Sequence, residues 1–206
     1  MPVTARSITA VVGLVALVAG AVSCSRGNAG STGTSGTGTG PTSVATTNHD
    51  TAIVGDIPDS QAYTTYRATS FSVKVPEGWA QSTDAQGQQQ FTDKFNSVTV
   101  RTSSAPSAPD PQQFAAAERA RSGNGTSGSG TSGSASTVSR KAGPAVRLTY
   151  RARSAVDAVT GKSVTVEVEE YAFYRRGTQV VLVLSSPVGS DNVDPWRTIT
   201  DSFAWR

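Results

Sequence analysis

Over much of the second half of the chain, apolar and polar residues alternate with a period of two. Phe71, Val73 and Val75 are separated by Ser72 and Lys74, and Pro76-Glu77-Gly78 ends the run. Val98 and Val100 flank Thr99. Val146, Leu148 and Tyr150 are separated by Arg147 and Thr149, and Val164, Val166 and Val168 by Thr165 and Glu167. Such alternation predicts strands with one face on a core and one in water. At Glu170 the phase breaks, and Tyr171 and Phe173 take the polar parity. A bulge, or a second element covering that face, is expected there. Val180-Val181-Leu182-Val183-Leu184 is apolar on both faces, as a central strand covered on both sides would be. Two helices are predicted from their starts. Asp110-Pro111 and Asp194-Pro195 each place an acid in the N-cap position before a proline in the first turn. Strong helix formers follow the first. After the second, Trp196, Ile199 and Phe203 form one apolar stripe.

Short connections, such as the tight turn at Arg175-Arg176-Gly177, predict antiparallel hairpins. A register with Arg147 opposite Glu169 sets Leu148 against Val168 and Tyr150 against Val166. It also makes Arg147, Arg151 and Arg153 the partners of Glu167, Glu169 and Glu170. Ser122 to Thr137 holds only Ser, Gly, Asn, Thr and Ala, and predicts a flexible insertion over 122–137. The fold class over residues 61–206 is therefore α+β, with strands paired as hairpins and two helices.

Ahead of that domain the pattern changes. Met1 to Ser7 carries one basic side chain, Arg6, and Ile8 to Val22 runs 15 residues without a charge. That is shorter than the ~20 residues a helix needs to cross a bilayer core. A basic start, an apolar stretch and small residues after it mark a secretory signal. Ala21-Val22-Ser23-Cys24 closes the stretch, and Cys24 is the single cysteine among 206 residues. The segment resembles a bacterial lipoprotein signal, in which residues 1–23 are removed and the Cys thiol takes a diacylglycerol. Ala21 stands where such signals usually carry Leu. A plain secreted protein cut near Ala21 and an uncleaved signal anchor are the alternatives. With Cys24 acylated, no thiol is left for a disulfide, a nucleophile or a metal site. From Ser25 to Ser60, 24 of 36 residues are Gly, Ser, Thr, Pro or Asn. Such a segment buries too little apolar surface to offset its conformational entropy, so residues 24–60 read as a lipidated Cys and a disordered linker.

The formal net charge is +3, and from Gln61 onward 16 basic residues face 12 acidic ones. The excess is spread along the chain with no run longer than two, so it predicts a solvated surface and no nucleic-acid partner. The sole histidine, His49, falls in the linker, where no base can be held within reach of a proton. No catalytic residue is assigned, and neither a metal site nor a cofactor is expected. Asp191-Asn192-Val193-Asp194 has the look of a Ca²⁺ loop, but position 202 is Ser where such a loop needs Glu. Helix capping by Asp194 explains the stretch more simply. Among the aromatic residues, Tyr171 and Phe173, with Trp79 and Trp196, form the candidate binding patch. Packing in the core is the alternative.

A strand ending in Pro76-Glu77-Gly78-Trp79, then a hairpin, then Phe91-Thr92-Asp93-Lys94-Phe95-Asn96-Ser97-Val98-Thr99-Val100 and a helix resemble the PsbP-like family. This family includes photosystem accessory proteins and LpqN-type actinobacterial lipoproteins. The resemblance covers most of Tyr63 to Trp205 and implies an antiparallel sheet flanked by helices, in proteins that mostly bind or assist assembly. The sequence thus predicts a lipoprotein at the outer face of the cytoplasmic membrane, anchored through Cys24, with a non-catalytic binding or accessory role. Its partner would be a membrane protein complex such as a transporter. A carrier of a lipid or other apolar ligand is the first alternative, and a cell-wall hydrolase the second.

Overall fold

The structure, a computed structural model, describes residues 55–123, 133–156 and 161–206. The expected signal peptide, Cys24, His49 and residues 124–132 of the expected insertion lie outside the described residues. In chain order the elements are β1 (Tyr63–Arg67), β2 (Phe71–Pro76), β3 (Ala80–Thr83), β4 (Gln89–Asp93), β5 (Asn96–Ser104), α1 (Pro111–Gly123), β6 (Ser134–Arg140), β7 (Gly143–Arg153), β8 (Thr165–Arg175), β9 (Thr178–Pro187), α2 (Val193–Ser202) and β10 (Ala204–Trp205). They build two antiparallel sheets, one of three strands in the order β1-β2-β10 and one of seven in the order β3-β4-β5-β9-β8-β7-β6.

The fully apolar segment 180–184 lies in β9, the central strand of the seven, with both faces covered. On one face, α2 and the small sheet close the main core. Phe71 and Val73 from β2, Trp196 and Ile199 from α2, and Phe203 after it pack on Phe91, Val98, Phe173, Leu182 and Leu184. Three phenyl rings link the layers. Phe203 stacks on Phe173 at 4.2 Å and on Phe71 at 5.4 Å, geometries that favour offset aromatic contact. On the other face, Phe114 and Ala115 of α1 cover Val146, Leu148, Ala172 and Val181.

This double cover explains the phase break in β8. Its pairing with β9 runs from Val166↔Pro187 to Arg175↔Thr178 without a bulge. Val166, Val168, Glu170 and Ala172 face the α1 side, while Tyr171 and Phe173 face the main core. The second element over that face, rather than a bulge, accounts for the pattern.

The expected register is off by two residues. Arg147 lies opposite Tyr171, Thr149 opposite Glu169 and Tyr150 opposite Val168. The strands stay on their proper faces because a shift of two preserves side-chain parity. The turn at Arg176-Gly177 is tight as expected, with both residues at positive φ (48° and 81°), the form that matches strand twist.

Four boundaries differ from expectation, and the first is that Ser122 and Gly123, placed in the insertion 122–137, end α1. Ser134–Thr137, placed in the insertion 122–137, are in β6, because pairing with Val146–Thr149 of β7 satisfies their backbone despite their poor strand composition. Asp110 caps α1 as expected, its carboxylate accepting from the N–H groups of Gln112 and Gln113 at 3.0 Å. Asp194 does not cap α2. That helix begins at Val193, the N-cap position is Asn192, and Asp194 sits in the first turn. Asn192 is committed elsewhere. Its Oδ1 accepts from the Ile57 N–H and its Nδ2 donates to the Gly55 carbonyl, both at 2.8 Å. The Asp191 N–H donates to Asp56. The Asp191-Asn192 stretch, with its look of a Ca²⁺ loop, is a clasp on residues 55–57, and Ile57 is buried in the main core. The folded part therefore includes residues expected in the linker.

Candidate functional site

The four aromatic residues proposed as a binding patch are brought together, but as core. Tyr171, Phe173 and Trp196 are 2%, 1% and 6% exposed, and Trp79 packs half-buried against the same cluster. The correction has a simple cause: α2 and the small sheet cover the face on which they lie. Trp205, Tyr63 and Tyr66 also pack on that cluster, and Tyr150 packs on the α1 side.

The charges divide into three groups. The first lies under α1. Arg101 on β5 donates to Glu118 on α1 at 3.1 Å and to Glu170 on β8, and the Tyr150 hydroxyl donates to Glu170 at 2.7 Å. The sequence reading gave Glu170 a surface arginine on β7; its partner is instead Arg101, on a strand two places away in the sheet. Burial pushes the Glu170 carboxyl above its ordinary range, with Glu118 beside it acting in the same direction. Burial likewise raises the Tyr150 hydroxyl. A raised carboxyl in a cleft is a mark of function, but this one is 1% exposed and closed over by α1. The group holds a helix to a sheet.

The second group is a polar strip on β7 and β8. Arg147 pairs with Glu169, the one pair the sequence reading names, although the two are not directly opposite, and Arg151 pairs with Glu167 at 2.8 Å. Arg153 instead donates to Ser163. The two ion pairs, with Thr149, Tyr150 and Val168, line a depression of about 460 Å³. Its charges are matched in pairs.

The third group differs. The outward face of the β1–β2 hairpin carries Thr65, Arg67, Ser72 and Lys74, since Phe71, Val73 and Val75 point inward. Facing them are Asp194, Arg197, Thr198, Asp201 and Ser202 of α2, with Lys141 from the β6–β7 turn. Together they line a groove of about 660 Å³. The Lys74 N–H donates to Ser202 Oγ at 2.8 Å, pinning strand to helix at the groove floor. Asp201 is already held by Arg140 at 3.8 Å and Arg197 at 3.7 Å. Among the described residues, the side chains of Arg67, Lys74 and Lys141 make no hydrogen bond or ion pair.

Arg140 joins the groove to the polar strip. It donates to Thr200 Oγ1 at 3.0 Å and to the Tyr171 hydroxyl at 2.9 Å, and its guanidinium lies 4.8 Å from the Tyr171 ring centroid. Tyr171 in turn donates to Glu169 at 2.6 Å. Burial first, then that bond to Glu169, push the Tyr171 hydroxyl up to about 12, so it stays a donor at neutral pH.

Sequence reasoning missed the groove. Its three unpaired cations lie at positions 67, 74 and 141, in no run and no motif, and only strand pairing and the position of α2 bring them together. Lys74 was legible only as an outward strand position. Among the described residues, no group of three His, Cys, Asp or Glu side chains is placed to hold a metal ion.

A scan against protein-family models finds no match, and no curated protein matches the chain. Solved structures similar in fold include two at low identity. The solution structure of cyanobacterial PsbP (CyanoP) from Synechocystis sp. PCC 6803 is 16% identical, with a TM-score of 0.46, over 74% of this chain and 98% of that one. A crystal structure from Bacteroides thetaiotaomicron is 13% identical, with a TM-score of 0.41, over 66% of this chain, which spans only 45% of that protein. Both TM-scores lie below 0.5, so nothing about function follows from either.

Proposed function

We propose that this chain is an extracytoplasmic lipoprotein, held at the outer face of the cytoplasmic membrane by a diacylglycerol on Cys24. Its PsbP-like α+β domain acts as a non-catalytic binding module for a membrane partner. The observation that carries the binding role is the groove between the β1–β2 hairpin and α2. It concentrates three cations that the described residues leave without partners, whereas Arg101 under α1 and Arg147 and Arg151 on β7 have carboxylates. Charge left uncompensated on a folded surface is available to a partner, and steers its approach. The anchor rests on the sequence from Arg6 to Cys24.

The alternatives find less support. A carrier of an apolar ligand needs a pocket lined by apolar side chains, and the candidate aromatics are packed in the core. A hydrolase acting through paired acids needs two in an open cleft. Here Glu167 and Glu169 are each engaged by arginine, Glu170 is closed over by α1, and of the two acids in the groove, Asp194 and Asp201, the second is held by two arginines.

Two measurements test the reading. Labelling of the producing cell with palmitate should mark the wild-type chain and leave Cys24→Ser unmarked; label retained in Cys24→Ser would sink the anchor. Cross-linking of the anchored chain in intact membranes should capture a protein partner. The loss of that partner in a Lys74→Glu/Lys141→Glu variant would place it at the groove.

A further inference from the structure

We infer that the groove between the β1–β2 hairpin and α2 is an anion site for a phosphate-bearing ligand; this rests on the reading of the domain as a binding module. The cations come from three separate elements: Arg67 from β1, Lys74 from β2 and Lys141 from the β6–β7 turn. Arg197 of α2 lines the same space while holding Asp201. A carboxylate carries one charge on two coplanar oxygens and is satisfied by a single arginine fork. Cations set around a groove fit an anion with more charge and with oxygens pointing in several directions. A phosphate monoester, with a charge near −1.5 to −2 and three acceptor oxygens, has that shape. Arginine meets it through a planar fork and the lysines as point charges. Thr65, Ser72 and Thr198 add hydroxyl donors to the same lining.

The acids of the groove offset this field only in part, since four cations line it against two carboxylates. Asp201 has two arginines on it, Arg140 and Arg197. Asp194 lies in the first turn of α2, where the helix dipole already stabilises a negative charge. Arg67, Lys74 and Lys141 are exposed, so a ligand reaches them without any opening of the fold. The chemistry has two sources, a soluble phosphomonoester and the monoester headgroup of a phosphatidic acid.

The test is calorimetric titration of the full chain, in micelles of a neutral detergent. The probes are glycerol 3-phosphate, dihexanoylphosphatidic acid, dihexanoylphosphatidylcholine and glutarate. Saturable binding of glycerol 3-phosphate or dihexanoylphosphatidic acid is expected, with glutarate and the zwitterionic lipid at least ~10-fold weaker. Equal affinity for the two phosphate probes identifies the phosphate alone as the recognised group. A preference for the lipid identifies a headgroup site. Lys74→Gln and Lys141→Gln should each weaken binding about tenfold, as loss of a charge-assisted bond does. Lys74→Arg/Lys141→Arg should retain it, and so should Arg175→Gln/Arg176→Gln, which removes twice the charge of either single lysine variant, outside the groove.

Glutarate binding as tightly as the phosphates would overturn the assignment, as would equal loss in the Arg175/Arg176 variant or no binding of either phosphate probe. If no probe binds but a membrane protein still cross-links, the anion site fails and the binding module stands. Release of inorganic phosphate from glycerol 3-phosphate would do the reverse, keeping the site and ending the non-catalytic reading.

Discussion

Arg101 under α1 and Lys74 beside α2 are both basic residues on strands that face a helix, yet their surroundings are opposite. Arg101 is 15% exposed at its side chain, with Glu118 and Glu170 on it at 4% and 2%. Lys74 is exposed and shares its groove with Arg67 and Lys141, while the acid between strand and helix, Asp201, belongs to two other arginines. In the first place every charge is answered from within the chain, at the cost of removing all of them from water. In the second the chain leaves a surplus where water and solutes reach it. A charge inside a closed network supports the fold, and an uncompensated exposed one is open to another molecule.

The largest effect should come from opening the closed network. Arg101→Met leaves Glu170 buried without a cation and Glu118 with only the exposed Arg121, and breaking a buried pair from one side costs about 3–5 kcal/mol. Urea denaturation should show a loss of that size. The loss should shrink in Arg101→Met/Glu170→Met, which replaces the charged pair with apolar volume. If Arg101→Met alone unfolds at the wild-type midpoint, the cluster is not the support described here.

The same cluster gives the molecule a pH dependence. Because burial holds Glu170 above its ordinary value of 4.5, the folded protein binds more protons than the unfolded chain from 4.5 up to the raised value. This contribution to stability is fully present below 4.5 and is lost as pH rises through the folded-state value. Glu170→Gln removes that proton from the balance. The urea midpoint of the wild type, taken relative to Glu170→Gln, should therefore fall as pH is raised from about 4 towards neutrality. A difference that stays flat over that range would mean Arg101 and Tyr150 outweigh burial.

What the sequence made legible follows from how local each signal is. The strands around Phe71–Val75 and Val146–Tyr150, the central place of 180–184 and the double cover of β8 all come from residues two apart, and all appear in the structure. The pairing register came out two residues off because parity constrains the face a residue takes and not its exact opposite. The Glu170–Arg101 pair joins strands 69 positions apart in sequence, and the groove joins β1, β2, the β6–β7 turn and α2. Neither has any local mark. Tyr171, Phe173 and Trp196 were correctly seen as neighbours in kind, but burial depends on what covers a face, and the covering helix is the one that carries Trp196.

The two Asp-Pro helix starts sharpen the contrast at lower energy. Asp110 caps the helix that lids the buried cluster, and Asp194 lines the groove without capping anything. Asp110→Ala should cost about 1 kcal/mol, as the loss of an N-cap does. Asp194→Ala should cost only the dipole contribution, about 0.3–1 kcal/mol at low salt and less as salt is added. It should also strengthen glycerol 3-phosphate binding, because one negative charge leaves the groove. Equal costs at high salt would contradict the start of α2 at Val193.

The smallest change in stability should come from the residues to which this reading assigns the most function. Arg67, Lys74 and Lys141 make no side-chain bond within the described residues, so nothing is broken when they lose charge. Replacing all three by Gln removes mutual repulsion in the groove and should leave stability within about 0.5 kcal/mol of wild type. If the sign is resolvable, the variant is the more stable protein. Salt supplies the discriminating measurement: screening over a Debye length of ~10 Å at 0.1 M should raise the wild-type urea midpoint more than that of the variant. A site kept for binding carries such a strain, because selection acts on function there and not on the fold. If the triple substitution instead destabilised the domain by more than about 1 kcal/mol, these cations would have partners inside the fold, and the contrast with Arg101 would collapse.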